Sequence, residues 1–318
     1  MRIAVLGAGS LGGLIAGALA GAGIETTLLA RGETARIIAE RGIAIEGALS
    51  ASGRPKVVVD PGRLGEVDVV LVAVKTYDTE QALAEIEPSR VGAAASLQNG
   101  VLKDDLLRSK FGPGKVLGCA TQLGGQRIAP DRIRCMFPGK TFFGEFDGST
   151  SPRLDKLADA FTVAGLPVER STVISSLEWT KAVLQAATAP LAAIVGRPLH
   201  EIYLGPAAAL YVHIVREAAA IAKACGVDLD GEQPWGGPMA ALLSLDDAAA
   251  VELVQSYGRD FVARGATQIR ISMQQDVAAG RPTEIDETAG HLVNEGRRLG
   301  IPTPYLDAAC TLTRALIR

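Results

Sequence analysis

The hydrophobic pattern of the first half of the chain alternates between short apolar runs and longer helical repeats. Residues 2–6 and 67–74 are nearly continuous apolar runs, which are typical of parallel strands covered on both faces. Further strands are predicted at 25–29 and 93–97, and helices at 10–22, 33–41, 80–87 and 101–109. This order of strands and helices predicts an α/β fold with an open, doubly wound parallel sheet of Rossmann type.

The pattern changes near residue 115 and again near residue 173. Between 114 and 146, short apolar runs split by Gly and Pro predict antiparallel strands at the sheet edge. A helix at 153–164 and a strand at 167–170 follow. Beyond them, the predicted helices are 175–195, 206–225, 247–263, 265–279, 286–299 and 304–317. We therefore expect a Rossmann-type domain over 1–172 and an all-α domain over 173–318, with a mobile connection at 228–238.

Composition narrows the class of protein. The chain has 318 residues, of which 48% are hydrophobic and 21% are charged, as in a globular protein with two domains. A net charge of −3 disfavours a nucleic-acid partner, and no apolar run is long enough to predict a membrane span. The four cysteines and three histidines show no metal-ligand spacing, so no metal is expected. Without a secretory signal pattern, the expected location is the cytoplasm.

A glycine-rich segment follows the first predicted strand and opens the first predicted helix. That context is the one in which G-x-G-x-x-G binds a dinucleotide, whose pyrophosphate lies at the helix N-terminus. A plain glycine turn is the alternative interpretation. The cofactor-binding residues expected here are Gly7, Ala8, Gly9, Ser10, Leu11 and Gly12.

The end of the second predicted strand indicates which dinucleotide is bound. An NAD site usually has an acidic residue here to bind the ribose, whereas this chain has Arg31. A guanidinium can form two hydrogen bonds with a 2′-phosphate, so we expect NADP(H). The alternatives are that Arg31 is a solvated loop residue, or that the nearby Glu33 turns toward the ribose.

Two polar residues follow predicted strands. Lys75 comes after 67–74 and Asn99 after 93–97, and ligands of open α/β sheets bind at the carboxyl ends of strands. Both are candidate cofactor-binding residues. A solvated Lys75 and an Asn99-Gly100 turn explain the same pattern equally well.

Three further candidates lie in the helical half. Lys181 interrupts a long apolar helix, where a charge is costly unless it faces water, a partner or a ligand. Glu284 precedes the helix predicted at 286–299, with Thr283 and Asp286 near capping-box spacing, so it could simply complement the helix dipole. Ser272 is expected one turn inside the helix predicted at 265–279 and could be a surface serine.

These signals occur in an order that resembles the ketopantoate reductase (2-dehydropantoate 2-reductase) family. The segments are GAGSLG, LLARG, VAVKTYD, QNG, EWTKAVLQ and SMQQDVAAGRPTEID, and they span nearly the whole chain. The resemblance implies a Rossmann domain followed by a helical domain, with a 2-oxo acid bound between them and reduced by NADPH. No nucleic-acid or membrane partner is expected, and a homodimer is left open.

The resemblance also implies roles for individual residues. Lys181 would be the catalytic lysine and proton donor, and Glu284 would keep it charged and aimed. Ser272 and Glu284 would hold the carboxylate and hydroxyl ends of the substrate, with Asn99 as a residue that contacts both ligands. Arg31 would match the arginine that binds the 2′-phosphate.

One departure from the family pattern concerns the substrate. The family commonly has asparagines four and eight residues after its lysine, whereas this chain has Gln185 and Ala189. Gln185 keeps an amide and remains a candidate substrate-binding residue, but Ala189 has no polar group. The alternatives are therefore a reductase of another 2-oxo acid, a 3-hydroxy acid dehydrogenase, or an NADPH-binding sensor without catalysis.

Overall fold

The computed structural model describes residues 1–229 and 239–316. The mobile connection expected at 228–238 therefore lies, beyond its first two residues, outside the described residues. The chain divides into two compact units. The first comprises Met1–Asn99 and Lys103–Ile174, and the second comprises Gly100–Leu102 and Ser175–Arg318.

The strands all lie in the first unit. They are β1 (Arg2–Leu6), β2 (Glu25–Leu29), β3 (Ile43–Gly47), β4 (Ala51–Gly53), β5 (Lys56–Val58), β6 (Val67–Val72), β7 (Val91–Ser96), β8 (Val116–Ala129), β9 (Arg132–Gly144) and β10 (Val168–Arg170). Between and after them come α1 (Ser10–Gly21), α2 (Gly32–Arg41), α3 (Thr79–Leu83), α4 (Leu102–Phe111) and α5 (Pro152–Val163).

The rest of the described chain is helical. Its helices are α6 (Ile174–Val195), α7 (Leu199–Leu204), α8 (Ala207–Ala224), α9 (Met239–Ser244), α10 (Asp247–Ala263), α11 (Ser272–Ala278), α12 (Ala289–Leu299) and α13 (Pro304–Ala315). None of the described helices is both long enough and apolar enough to cross a membrane.

The sheet confirms the predicted fold class. Strands β7, β6, β1, β2 and β5 lie side by side in that order and run parallel. β8 continues this row, first parallel to β7 and then antiparallel to β9 along most of its length. β9 also pairs in parallel with β3 and β10, and β3 pairs antiparallel with β4. The parallel sheet thus carries an extension that is built around an antiparallel hairpin.

Several element boundaries predicted from the sequence were wrong. The three short runs expected between 114 and 146 form two long strands, because Pro138 and Gly139 are accommodated inside β9 next to a shift in register. Strands β3, β4 and β5 were not predicted, since β4 and β5 have only three residues each and the short run of β3, IAIEG, is interrupted by Glu46. The helix expected at 265–279 begins only at Ser272, and the one expected at 286 begins at Ala289.

Helix α1 contacts the extension of the sheet through glycines spaced four residues apart. Gly13, Gly17 and Gly21 face these strands, and a Cβ on Gly21 would lie 2.3 Å from the carbonyl oxygen of Ser52. A Cβ on Gly53 in β4 would lie 2.2 Å from the carbonyl oxygen of Gly17. Because the main chain cannot rotate away as a side chain can, only glycine permits so close an approach.

In the second unit, the start of α13 is held by a residue of α8. No side chain at the start of α13 itself caps the helix. Instead, the carboxylate of Glu217 accepts hydrogen bonds from the main-chain N–H groups of Tyr305 and Leu306, at 3.1 and 2.8 Å. The ring of His213, one turn before Glu217, stacks on Tyr305 with 4.6 Å between centroids. The acidic side chain thus satisfies donors that the helix leaves open.

We expect Gly53→Ala to destabilise the protein by about 1–3 kcal/mol, because the added Cβ would press on the main chain of α1. For a unit of this size, that corresponds to roughly 2–4 °C of melting temperature per kcal/mol, measured by circular dichroism. Gly65→Ala is the control, since a Cβ there meets no heavy atom within 4 Å. Equal melting temperatures for the two variants would contradict the packing argument.

Candidate functional site

The loop between β1 and α1 contains three glycines with different surroundings. Gly7 has a φ of +112°, and a Cβ there would lie 2.9 Å from the main-chain nitrogen of Val74. A Cβ on Gly12 would lie 2.1 Å from the carbonyl oxygen of Gly7. A Cβ on Gly9, by contrast, meets only the carbonyl oxygen of Ala73, at 3.9 Å. The fold itself requires glycine at 7 and 12, whereas Gly9 leaves open space beside the helix N-terminus.

This open space fits the pyrophosphate of a dinucleotide. Gly9 is the N-cap of α1 and has no side chain, so no side chain caps the first N–H groups of the helix. The first turn also has no acidic residue that would repel an anion. Ala8 and Leu11 pack against the apolar core of the first unit, and Ser10 starts the helix. These are the conditions under which a helix N-terminus binds phosphate.

Arg31 lies two residues after the end of β2 and is exposed. Its backbone is extended, and it is the N-cap of α2. Arg31 forms no ion pair with the other residues that the structure describes. Glu33 lies in the first turn of α2, with its carboxylate 3.9 Å from the guanidinium of Arg36. The guanidinium of Arg31 is therefore available for an anionic ligand at the carboxyl end of β2.

Lys75 and Asn99 lie at the carboxyl ends of neighbouring strands. β6 ends at Val72 rather than at residue 74, and β7 ends at Ser96, so each candidate lies three residues beyond its strand. Val72 and Ser96 are paired in the parallel register. Both candidates are half-buried and have polar contacts within the structure. The sheet thus brings them to the edge that also carries the glycine loop after β1.

Gln98 connects these loops, and sequence reasoning did not select it. Its side chain is buried, and its amide oxygen accepts a hydrogen bond of 2.7 Å from the hydroxyl of Ser96. The amide nitrogen donates to the carbonyl oxygen of Val74 at 2.9 Å and to the hydroxyl of Thr79 at 2.7 Å. Gln98 therefore fixes the loop after β6 relative to the loop after β7. The feature of the sequence that could have indicated Gln98 is its position, because it directly follows the apolar strand predicted at 93–97.

Lys181 lies on α6, in the second unit, and is half-buried. Gln185, Thr188 and Ala189 lie one and two turns further along the helix, on the same side as Lys181. Ala189 packs against the apolar core of this unit. The face of α6 that carries Lys181 thus has polar side chains at Gln185 and Thr188. At position 189 it has an apolar side chain in place of an amide.

Glu178 is a second residue that the sequence analysis did not select. It lies one turn before Lys181 on α6 and is only 4% exposed. Spacing of three residues places two side chains next to each other on a helix, and a carboxylate with so little solvent needs polar contacts. Both residues have such contacts in the structure. Glu178 is therefore a candidate for positioning the lysine.

Glu284 does not lie in the first turn of a helix, so the capping-box interpretation is wrong. Residues 284–288 form turns, and α12 begins only at Ala289. The main-chain carbonyl of Glu284 accepts hydrogen bonds from the amide and the hydroxyl of Thr288, and the residue is 9% exposed. Burial raises the pKa of the nearby Glu287 carboxyl, and the charges of Asp286 and Glu284 raise it further. The turn therefore places several carboxyl groups close together.

Ser272 is the first residue of α11 and is exposed, rather than lying a turn inside a longer helix. Within the described part of the chain its side chain makes no hydrogen bond. An ion pair of 3.0 Å between Arg281 and Asp276 joins α11 to the segment that leads to Glu284. The structure thus shows no contact that joins Ser272 to Lys181 or Glu284 among the described residues.

The described residues also contain no group of three or more His, Cys, Asp or Glu side chains arranged to hold a metal ion.

Comparisons with known proteins cover both halves of the chain. The family described as ketopantoate reductase PanE/ApbA matches residues 3–148, and the one described as ketopantoate reductase PanE/ApbA C terminal matches residues 173–317. The 2-dehydropantoate 2-reductase of Archaeoglobus fulgidus is 28% identical over 316 residues, which cover 99% of this chain and 95% of that protein.

Solved structures show the same fold. A PanE/ApbA family ketopantoate reductase from Ralstonia eutropha JMP134 superposes with a TM-score of 0.81 at 28% identity, covering 99% of this chain and 98% of the other. A D-mandelate dehydrogenase in a ternary structure with NADH and anilino(oxo)acetate gives a TM-score of 0.83 at 22% identity, with the same coverage. The latter likeness concerns the fold alone.

The resemblance seen in the sequence motifs is thus confirmed by family matches over both halves and by the shared fold. The chain belongs to the ketopantoate reductase family, and it is an oxidoreductase that acts on CH–OH groups and the corresponding 2-oxo acids.

Proposed function

We propose that this protein reduces 2-dehydropantoate to pantoate with NADPH. The observation that carries the proposal is Lys181, a half-buried lysine of the long helix α6, with the buried Glu178 one turn before it. Removing a charged group from water costs free energy, and proteins often keep such a group where it takes part in binding or catalysis. Relatives named 2-dehydropantoate 2-reductase support the choice of substrate. They favour this reaction over a 3-hydroxy acid dehydrogenase and over a sensor without catalysis.

In this proposal, the cofactor is held by residues 1–172 and the substrate mainly by residues 173–318. The bound nicotinamide supplies the hydride, while the protein supplies position and charge. Gly9 and the N-terminus of α1 hold the pyrophosphate, and Arg31 pairs with the 2′-phosphate. Lys75 and Asn99, at the ends of β6 and β7, extend this binding surface along the sheet edge.

Lys181 acts on the ketone oxygen of the substrate. As hydride reaches the ketone carbon, negative charge develops on that oxygen, and the ammonium stabilises the charge and donates the proton. Glu284, which is only 9% exposed, accepts a hydrogen bond from the substrate hydroxyl. Ser272, whose hydroxyl is exposed, would bind the substrate carboxylate.

A second candidate function is the reduction of a different 2-oxo acid, and the observation that favours it is on α6. Gln185 reaches further than an asparagine, and Ala189 packs against apolar core residues. A substrate hydroxyl left without a partner on this face would cost roughly 1–3 kcal/mol once buried. A less polar side chain on the acid avoids that cost.

A panel of 2-oxo acids, assayed by loss of NADPH absorbance, tests the proposed function. We expect 2-dehydropantoate to give the highest kcat/KM. If a 2-oxo acid with an apolar side chain is turned over faster, the second candidate is correct. The double variant Q185N/A189N should then regain activity toward 2-dehydropantoate.

Gly9→Ala is expected to fold normally but to bind NADPH at least about tenfold more weakly, because its Cβ would fill the space left for the pyrophosphate. Gly12→Ala is the contrasting variant, since its Cβ would lie 2.1 Å from a carbonyl oxygen and should lower the melting temperature. Fluorescence titration and thermal unfolding measure the two effects. Wild-type affinity in Gly9→Ala would argue against pyrophosphate binding at this loop.

Arg31→Ala should raise the Kd for NADPH about tenfold or more and leave the Kd for NADH nearly unchanged, because only NADPH carries the 2′-phosphate. Arg36→Ala is a matched control, since this exposed arginine of α2 pairs with Glu40 at 2.8 Å. Equal losses for NADPH and NADH would show that Arg31 does not contact the 2′-phosphate.

Lys181→Ala is expected to lower kcat at least about 100-fold while NADPH still binds, because the ammonium acts on charge that forms in the transition state. Glu284→Gln should raise KM and lower kcat together. Lys223→Ala, at an exposed lysine of α8, serves as the control. Unchanged turnover in Lys181→Ala would mean that another group donates the proton.

A further inference from the structure

The end of strand β8 lies against the glycine loop. The main-chain N–H of Arg127 donates a hydrogen bond of 3.1 Å to the hydroxyl of Ser10, and its Nη1 donates to the carbonyl oxygen of Ala8 at 3.3 Å. Two residues earlier, a Cβ on Gly125 would lie 3.2 Å from the carbonyl oxygen of Ser10. The guanidinium of Arg127 is therefore held beside the loop that precedes α1, although 117 residues separate it from Ser10 in sequence.

The surroundings of Arg127 differ from those of the other two arginines in the β8–β9 hairpin. Arg132 and Arg134, on β9, both pair with Glu46, at 2.7 and 2.8 Å. Arg127 is exposed and forms no ion pair with the described residues. A guanidinium has five N–H donors, and the side chain of Arg127 uses one of them on Ala8. The guanidinium of Arg127 thus places a positive charge beside the glycine loop, with N–H donors that remain available to a ligand.

We propose that Arg127 is a further cofactor-binding residue, whose guanidinium pairs with the pyrophosphate of the dinucleotide. This inference rests on the proposed function, in which the glycine loop holds that group. A guanidinium matches phosphate oxygens in geometry and charge, and it would add to the uncapped N–H groups of α1. Arg127 thereby differs from Arg31, because NADPH and NADH both carry a pyrophosphate and only NADPH carries the 2′-phosphate.

A purely structural role for Arg127 makes different predictions. In that role, the side chain would only fasten the loop through its hydrogen bond to Ala8. Arg127→Met keeps the apolar stem and the main-chain hydrogen bond to Ser10 but removes both the charge and the hydrogen bond to Ala8. Arg127→Lys keeps the charge and changes the geometry of the donors. Because Arg127→Met removes both, the salt dependence of its loss of affinity separates the two roles: salt screens a charge and leaves a hydrogen bond to a carbonyl largely unchanged.

The experiment is a fluorescence titration of the full-length protein with NADPH and with NADH, at low and high ionic strength. We expect Arg127→Met to raise both Kd values by a similar factor of about ten, and Arg127→Lys to recover much of the loss. The ratio of the Kd values of Arg127→Met and the wild type should be smaller in high salt, because salt screens an exposed charge. Arg134→Met, whose wild-type side chain already pairs with Glu46, should bind both cofactors as the wild type does.

The other outcomes are distinguishable. A loss confined to NADPH would move Arg127 to the 2′-phosphate and overturn its assignment to the pyrophosphate. A loss in Arg127→Met that does not change with salt and comes with a lower melting temperature would show that the side chain only fastens the loop. Unchanged affinities in Arg127→Met would overturn this inference and leave the proposed function standing. A wild-type protein that binds neither cofactor would overturn both.

Discussion

The close approach of helix α1 to main chain on two sides is the constraint on which the first unit depends. On the side of the parallel sheet, Gly12 lies so near the carbonyl of Gly7 that a Cβ would be 2.1 Å away. On the other side, Gly17 and Gly53 bring α1 and β4 equally close. The loop proposed to hold the cofactor is therefore fixed by the packing of the helix it begins. Gly9 is free of that packing, which leaves its surroundings to a ligand.

The carboxyl ends of three strands are joined into one surface by short contacts. Gly7, after β1, lies against Val74, whose carbonyl accepts a hydrogen bond from the side chain of Gln98, after β7. Lys75 and Asn99 each directly follow one of these residues in sequence. A buried amide and a glycine turn thus help to fix the main chain that carries both residues. A binding surface made in this way keeps its shape before a ligand arrives, which lowers the entropy cost of binding.

Sequence patterns predicted the elements whose signals are local. Strands 2–6 and 25–29 were correct to the residue: the first is an apolar run ended by Gly7, and the second, ETTLL, is a short run of strand-forming residues followed by a helical repeat. The start of the helix expected at 286 was misplaced by three residues, since capping-box spacing also occurs where the chain makes turns before a helix. Gln98 and Arg127 were not recognised, because their importance comes from contacts with residues far away in sequence. Such contacts leave no hydrophobic period in the chain.

The carboxylate of Glu217 at the start of α13 has a consequence for the order in which the chain assembles. This helix lacks a capping side chain of its own, and the hydrogen bond from Tyr305 to Glu217 spans 88 residues. Such a contact forms only when the two distant segments meet, and closing the intervening chain into a loop costs entropy. The last helix therefore acquires its defined beginning only after α8 is in place. Its formation is coupled to the rest of the helical unit, so local fraying at this helix start is opposed by a distant element.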